Sequence, residues 1–195
     1  MALAECCAAH YIGCMERILL AEATDGMMLR CGVEVVFRDL LPEDDALYPA
    51  FHAQVSPGDR RLRFFSAAPL SEGQMHRLTH FDPRDAVARA AIGRDCGELY
   101  GVSRLHRVDG QDGEFAVMVR SDLKGQGLGR RLVGQIIARA PSIGITRVIG
   151  LILPENVGML ALADELGFEI HADRDEQGVL RASLDLGERG QPLAA

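Results

Sequence analysis

Two features of this sequence could do chemistry together. The run Lys124-Gly125-Gln126-Gly127-Leu128-Gly129, followed by Arg130 and Arg131, separates an apolar segment from a helix-like one, and Glu114 stands ten residues before Lys124. Glycines leading into a helix leave main-chain N–H groups unpaired at the positive end of its dipole, where an anion such as phosphate can be held. Glu114 opens the preceding strand, where a carboxylate can serve as a general base if a substrate proton comes within reach; the plainer alternative is an exposed strand-end acid. The glycine spacing narrows the choice. A nucleoside-triphosphate P-loop needs Lys-Ser or Lys-Thr at its end, whereas Gly129 is followed by two arginines. A dinucleotide fingerprint counted from Gly125 needs its third glycine at position 130, which is Arg130.

The flanking residues predict the elements that must position these groups. Val33–Arg38 reads as a first strand, Pro42-Glu43-Asp44-Asp45 as the acidic start of a helix over 46–54, and Ser71 as the cap of a helix to Leu78. Between them Ser56-Pro57-Gly58-Asp59 breaks the pattern, and Arg60–Phe65 reads as a basic connector turning Phe64 and Phe65 inward. Strands over 87–92, 98–108 and 114–120, separated by turn residues, predict an antiparallel meander. Leu132, Val133, Ile136, Ile137 and Ala140 recur at helical spacing after the glycine run. Val148–Leu153 is apolar enough for a strand covered on both faces, Met159–Leu166 reads as a helix stopped by Gly167, and 180–186 alternates as a half-buried strand.

Composition bounds the function class. At 195 residues with 48% hydrophobic residues, the chain can build one compact core, and a net charge of −7 argues against nucleic-acid binding. The apolar stretch from Ala2 to Ala23 is interrupted by Glu5, His10, Glu16 and Arg17, which argues against a membrane span, and it lacks the layout of a secretory signal; the expected location is the cytoplasm. Five cysteines, odd in number and without metal-ligand spacing, read as reduced thiols. His76, His80 and Asp82 raise a metal site, but an exposed helix end is the plainer reading, a substrate contact comes before a metal, and no metal is expected. Tyr100 reads as a core residue rather than a proton donor.

The glycine segment resembles the [Arg/Gln]-x-x-Gly-x-[Gly/Ala] pyrophosphate loop of the GNAT acyltransferase superfamily, with Lys124 at the first position and Gly127 and Gly129 in place. The element order fits that family from about Val33 to Leu186. Glu114–Arg120, Arg61–Phe65 and Pro154-Glu155-Asn156 look most like the catalytic domain of bacterial Pat-type protein lysine acetyltransferases.

The resemblance implies an α/β (α+β) fold: a mixed sheet with an antiparallel meander and two splayed parallel strands, over a domain of 32–188 between an N-terminal extension, 1–31, and a short tail, 189–195. It implies acetyl-CoA as co-substrate. Lys124, Gly125, Gln126, Gly127, Leu128, Gly129 and Arg130 would hold the pyrophosphate, Val117, Met118 and Val119 would pair with the pantetheine arm, and Asn156 would touch the cofactor. Glu114 would be the base, and a main-chain N–H near Met118 would stabilise the oxyanion. Ala163 stands where many members carry a tyrosine that protonates the leaving thiolate. The expected acceptor is a protein lysine, with a small amine or amino acid as the alternative, on a monomer or homodimer. A non-catalytic acyl-CoA sensor is the reading from another class, and Glu114 argues against it.

Overall fold

The computed structural model describes residues 25–187. Eight strands form one sheet in the order β1-β2-β3-β4-β5-β6-β8-β7. They are β1 (Gly26–Met28), β2 (Glu34–Asp39), β3 (Ala86–Gly93), β4 (Leu99–Asp109), β5 (Asp112–Val119), β6 (Arg147–Ile152), β7 (Glu169–Ala172) and β8 (Leu180–Asp185). Every neighbouring pair is antiparallel except β5 and β6, which run parallel. The meander β3-β4-β5 is as expected, and it forms because Asp109-Gly110 and the Gly93–Gly97 turn return the chain within a few residues.

Alternation along the strands sends side chains to two layers. Val36, Ala90, Ile92, Val102 and Met118 pack with Tyr48, Phe51 and Met75, from α1 (Tyr48–Ala53) and α3 (Glu72–Thr79). Val35, Phe37, Ala91 and Tyr100 point the other way, onto Leu128 and Leu132 of α4 (Leu128–Arg139). The apolar face expected after the glycine run is buried: Leu132, Val133 and Ile136 are fully inaccessible. Ala163 of α5 (Val157–Glu165) and Phe168 join the same core as Val133 and Ile136.

Four features differ from the expected elements. The connector at Arg60–Phe65 belongs to a helix, α2 (Pro57–Phe64), started by the Ser56 hydroxyl accepting from the Asp59 N–H at 3.1 Å with Pro57 at its first position. Phe65 does not turn inward; it ends α2 at a φ of 57° and is 40% exposed. The helix expected over 46–54 is divided into a 3-10 turn at Pro42–Leu47 and α1, since Pro49 interrupts the run near its middle. Gly26–Met28, inside the span expected to be an extension, pairs with Glu34–Val36, so the sheet reaches upstream of position 32.

Candidate functional site

The sheet opens beside Glu114. The pairing of β5 with β6 is Asp112 with Arg147, Gly113 with Val148 and Glu114 with Ile149, and there it stops, although β5 continues to Val119 and β6 to Ile152. Past Glu114 the two strands part and their unpaired edges line a cleft of about 880 Å³. Its walls include Glu114 to Val119 on one side, Gly150 to Ile152 on the other, and the loop from Lys124 to Arg130, except Gln126, at the end.

Main-chain direction decides which groups face the opening. The Arg120 N–H donates to the Tyr100 carbonyl opposite it at 2.9 Å, and the β4–β5 register runs regularly from there to Glu114 opposite His106. In an antiparallel ladder alternate residues turn N–H and C=O to the same neighbour. Met118, opposite Val102, therefore directs its main chain to β4, while Val117 and Val119 direct theirs into the opening. Of the N–H groups near Met118, those of Val117 and Val119 face the opening and that of Met118 does not. The Met118 side chain is 7% exposed and packs in the core under α1 and α3.

The glycine loop is built as an anion cradle. Gly125 and Gly127 take φ values of 71° and 88°, which only glycine adopts without strain, and Gly127 starts α4. The first main-chain N–H to find a helical acceptor is that of Arg131, which donates to the Gly127 carbonyl, so the N–H groups of Leu128, Gly129 and Arg130 precede the helix's own ladder. Lys124 is not a free charge: its Nζ lies 2.5 Å from Asp59 Oδ1. Burial pushes the Asp59 carboxyl up, but hydrogen bonds from Lys124, Ser121 and Ser56 outweigh it and hold the group below its ordinary range. Arg130 reaches Glu165 on α5 at 3.1 Å.

Gln126 faces away from the cleft and its Oε1 accepts from the Arg30 N–H at 3.1 Å. The Arg30 guanidinium donates to the Gly125 carbonyl at 2.8 Å and lines the cleft. Asp25 holds Arg131 and Gln135 of α4 from the same stretch of chain. Residues 25–30 thus buttress the loop, and neither Arg30 nor Asp59 was expected at the site. The signal for Asp59 was present, since its place three residues after Ser56 is that of a helix-start acid; nothing in the sequence pointed to Arg30.

Asn156 lines the far wall, where its Oδ1 accepts from the Met159 N–H at 3.2 Å and caps α5. Arg61 of α2 and Glu155 form an ion pair beside it, joining helix and loop near the cleft. Glu114 is half-buried, with Arg63 of α2 close enough to feel its charge. His106, opposite Glu114, is made less basic by burial, an effect that Glu114 opposes and Arg104 and Arg63 reinforce. Tyr100 is buried outside the cleft with its hydroxyl 3.1 Å from Cys96 Sγ, and burial raises its pKa, as befits the core role expected. Ala163 is fully buried. His76 and His80 lie outside the cleft walls, and Cys6, Cys7 and Cys14 outside the described residues.

A sheet opened between two parallel strands, with an anion cradle at one end, is matched by a known family: the model of the acetyltransferase (GNAT) domain fits residues 34–169. The chain belongs to the GNAT acetyltransferase family. This GNAT domain is accordingly an acyl-CoA-dependent N-acyltransferase. It is similar to the GNAT domain of Streptomyces lividans PAT, with 29% identity and a TM-score of 0.75 over 82% of this chain and 95% of that one. The fold is shared with yncA of Salmonella typhimurium, solved with its cofactor acetyl-CoA, at 18% identity and a TM-score of 0.63 over 83% of this chain and 99% of that one. It is also shared with a cAMP-binding acyltransferase from Mycobacterium smegmatis, at 22% identity and a TM-score of 0.55; the match covers 88% of this chain but 50% of that one. Among the described residues no helix is long and apolar enough to cross a membrane.

Proposed function

We propose that this protein transfers an acetyl group from acetyl-CoA to the side-chain amine of a protein lysine in the cytoplasm. The observation that carries the reading is the placement of Glu114 at the last paired position of β5 and β6, with the Lys124–Arg130 cradle at the other end of the cleft that opens there. The pyrophosphate of the donor lies on the N–H groups of Leu128, Gly129 and Arg130, and its pantetheine arm pairs with the gap-facing main chain of Val117 and Val119 as an added strand. The thioester then sits near Glu114. A lysine amine, with a reference pKa of about 10.4, must lose a proton before it attacks, and Glu114 takes that proton directly or through water. As the nitrogen adds to the thioester carbonyl, the Val117 N–H receives the developing oxyanion. The C–S bond breaks and CoA leaves as thiolate or takes a proton from water, since Ala163 offers none.

The lysine acceptor is supported by the likeness to the Streptomyces lividans PAT domain, which extends over nearly all of that domain. Fold alone does not choose the acceptor. Purified protein with acetyl-CoA, offered protein lysines, small amines and amino acids in parallel and read by mass spectrometry, tests it. Acetylated protein lysines are expected; acetylation of small amines alone would overturn the acceptor, and binding without transfer or hydrolysis across the panel would favour a sensor.

A further inference from the structure

Away from the cleft, three side chains converge that acyl transfer does not use. Asp45 comes from the Pro42–Leu47 turn, His76 from the last turn of α3, and His80 from the residue that ends α3. One ligand atom from each lies within 4.8 Å of the other two. His76 Nδ1 is 3.0 Å from Asp45 Oδ2, and the two imidazoles stack with centroids 3.7 Å apart. The cluster is anchored from below: the hydroxyl of Thr79, a residue only 1% exposed, lies 3.2 Å from Asp45 Oδ1 and 2.9 Å from His80 Nδ1. The sequence suggested Asp82 as third member, but Asp82 is held by Arg84 through both carboxylate oxygens. Asp45, 31 positions before His76, takes its place.

We propose that Asp45, His76 and His80 form a binding site for one divalent cation of the Zn2+ class. Two imidazole nitrogens and one carboxylate oxygen suit Zn2+, Ni2+ or Cu2+, whereas Mg2+ and Ca2+ prefer oxygen ligands throughout. Three protein ligands leave room for water in the coordination shell. Thr79 already orders Asp45 and His80, so the ion need only rotate exposed imidazoles rather than rearrange the chain. Such an ion fastens the Pro42–Leu47 turn to the end of α3. The last carbonyls of that helix, Arg77 and Leu78, accept from Arg104, whose guanidinium also covers the Phe81 ring. The role is structural, and it stands whether or not the acceptor is a lysine.

The test uses the full chain without a polyhistidine tag, stripped with chelator and titrated with Zn2+ by calorimetry, beside the double variant His76→Gln/His80→Gln. The unaltered chain should bind one more equivalent than the variant, and Mg2+ should not compete. At Zn2+ a hundredfold above that site's Kd, its Tm should rise by about 5–10 °C more than the variant's. Asp45→Asn, which keeps both histidines, should reduce the extra rise. Equal equivalents and equal Tm shifts in the unaltered chain and in a double variant of native circular dichroism would overturn the site.

Discussion

The ring of Phe115 covers Gly150 so closely that a β-carbon there would lie 2.3 Å from Phe115 Cε1. The two residues stand on either side of the opening, one position past the last β5–β6 pair. Phe115 is 5% exposed and packs on Phe168 with centroids 5.1 Å apart, so the ring cannot swing away cheaply. Gly150→Ala must therefore move one strand. Overpacking of this kind costs about 1–3 kcal/mol, which urea unfolding measures, and the KM for acetyl-CoA should rise as the walls shift. Gly134→Ala is the matched control: it lies inside α4 with nothing within 4 Å of its added carbon, and should gain about 0.5–1 kcal/mol.

Asp59 places a negative charge beside the proposed phosphate cradle. It holds Lys124 and Ser121 in place, so its loss has opposite effects on stability and on donor binding. Asp59→Asn should cost about 1 kcal/mol of stability, a modest figure because Lys124 is half exposed. The same variant should lower the KM for acetyl-CoA by roughly 3–10-fold at low ionic strength, with the gain shrinking as salt is added. Steady-state kinetics at two salt concentrations separates the two effects.

Arg30 should matter to the donor rather than to the chemical step. Its guanidinium lines the cleft and steadies the Gly125 carbonyl. Arg30→Ala is expected to raise the KM for acetyl-CoA about tenfold, which is about 1.4 kcal/mol of binding, with kcat little changed. A fall in kcat alone would place Arg30 elsewhere in the mechanism.

Stability should fall in strong alkali through Tyr48. Burial pushes its hydroxyl up to about 12, against the opposing pull of Arg104 and Arg63. The folded state therefore keeps a proton that the unfolded chain releases near pH 10, and folding weakens between pH 10 and 12 by up to about 2–3 kcal/mol. Denaturant titrations across that window should show the slope, and Tyr48→Phe should flatten it.

Local signals made most of the fold legible. The meander, the Ser71 cap and the buried face of α4 each rest on spacing within a few residues, and all stand as expected. The Ser56-Pro57-Gly58-Asp59 run was read as a break because glycine and proline dominate it, whereas Ser56 and Pro57 start α2. The place of the site was legible where one loop or strand carries it: Glu114, Gly125, Gly127 and Gly129 all line the cleft. It was not legible where distant segments meet. Asp59 reaches Lys124 across 65 positions and Arg30 reaches Gly125 across 95, contacts that no local periodicity encodes. That Val117 and Val119, rather than Met118, turn their main chain to the opening depends on register with β4, which no local pattern encodes.

In the proposed mechanism Glu114 removes the acceptor proton in a cleft that binds the donor independently of it. Glu114→Gln keeps the size of the side chain and removes the base. Calorimetry should find acetyl-CoA binding within a factor of about 2 of the unaltered protein, while single-turnover transfer to a lysine substrate at neutral pH falls by about 10²–10⁴-fold and recovers in part as pH rises toward the amine's own pKa. Unchanged turnover across pH in the Gln variant would show that Glu114 is not the base.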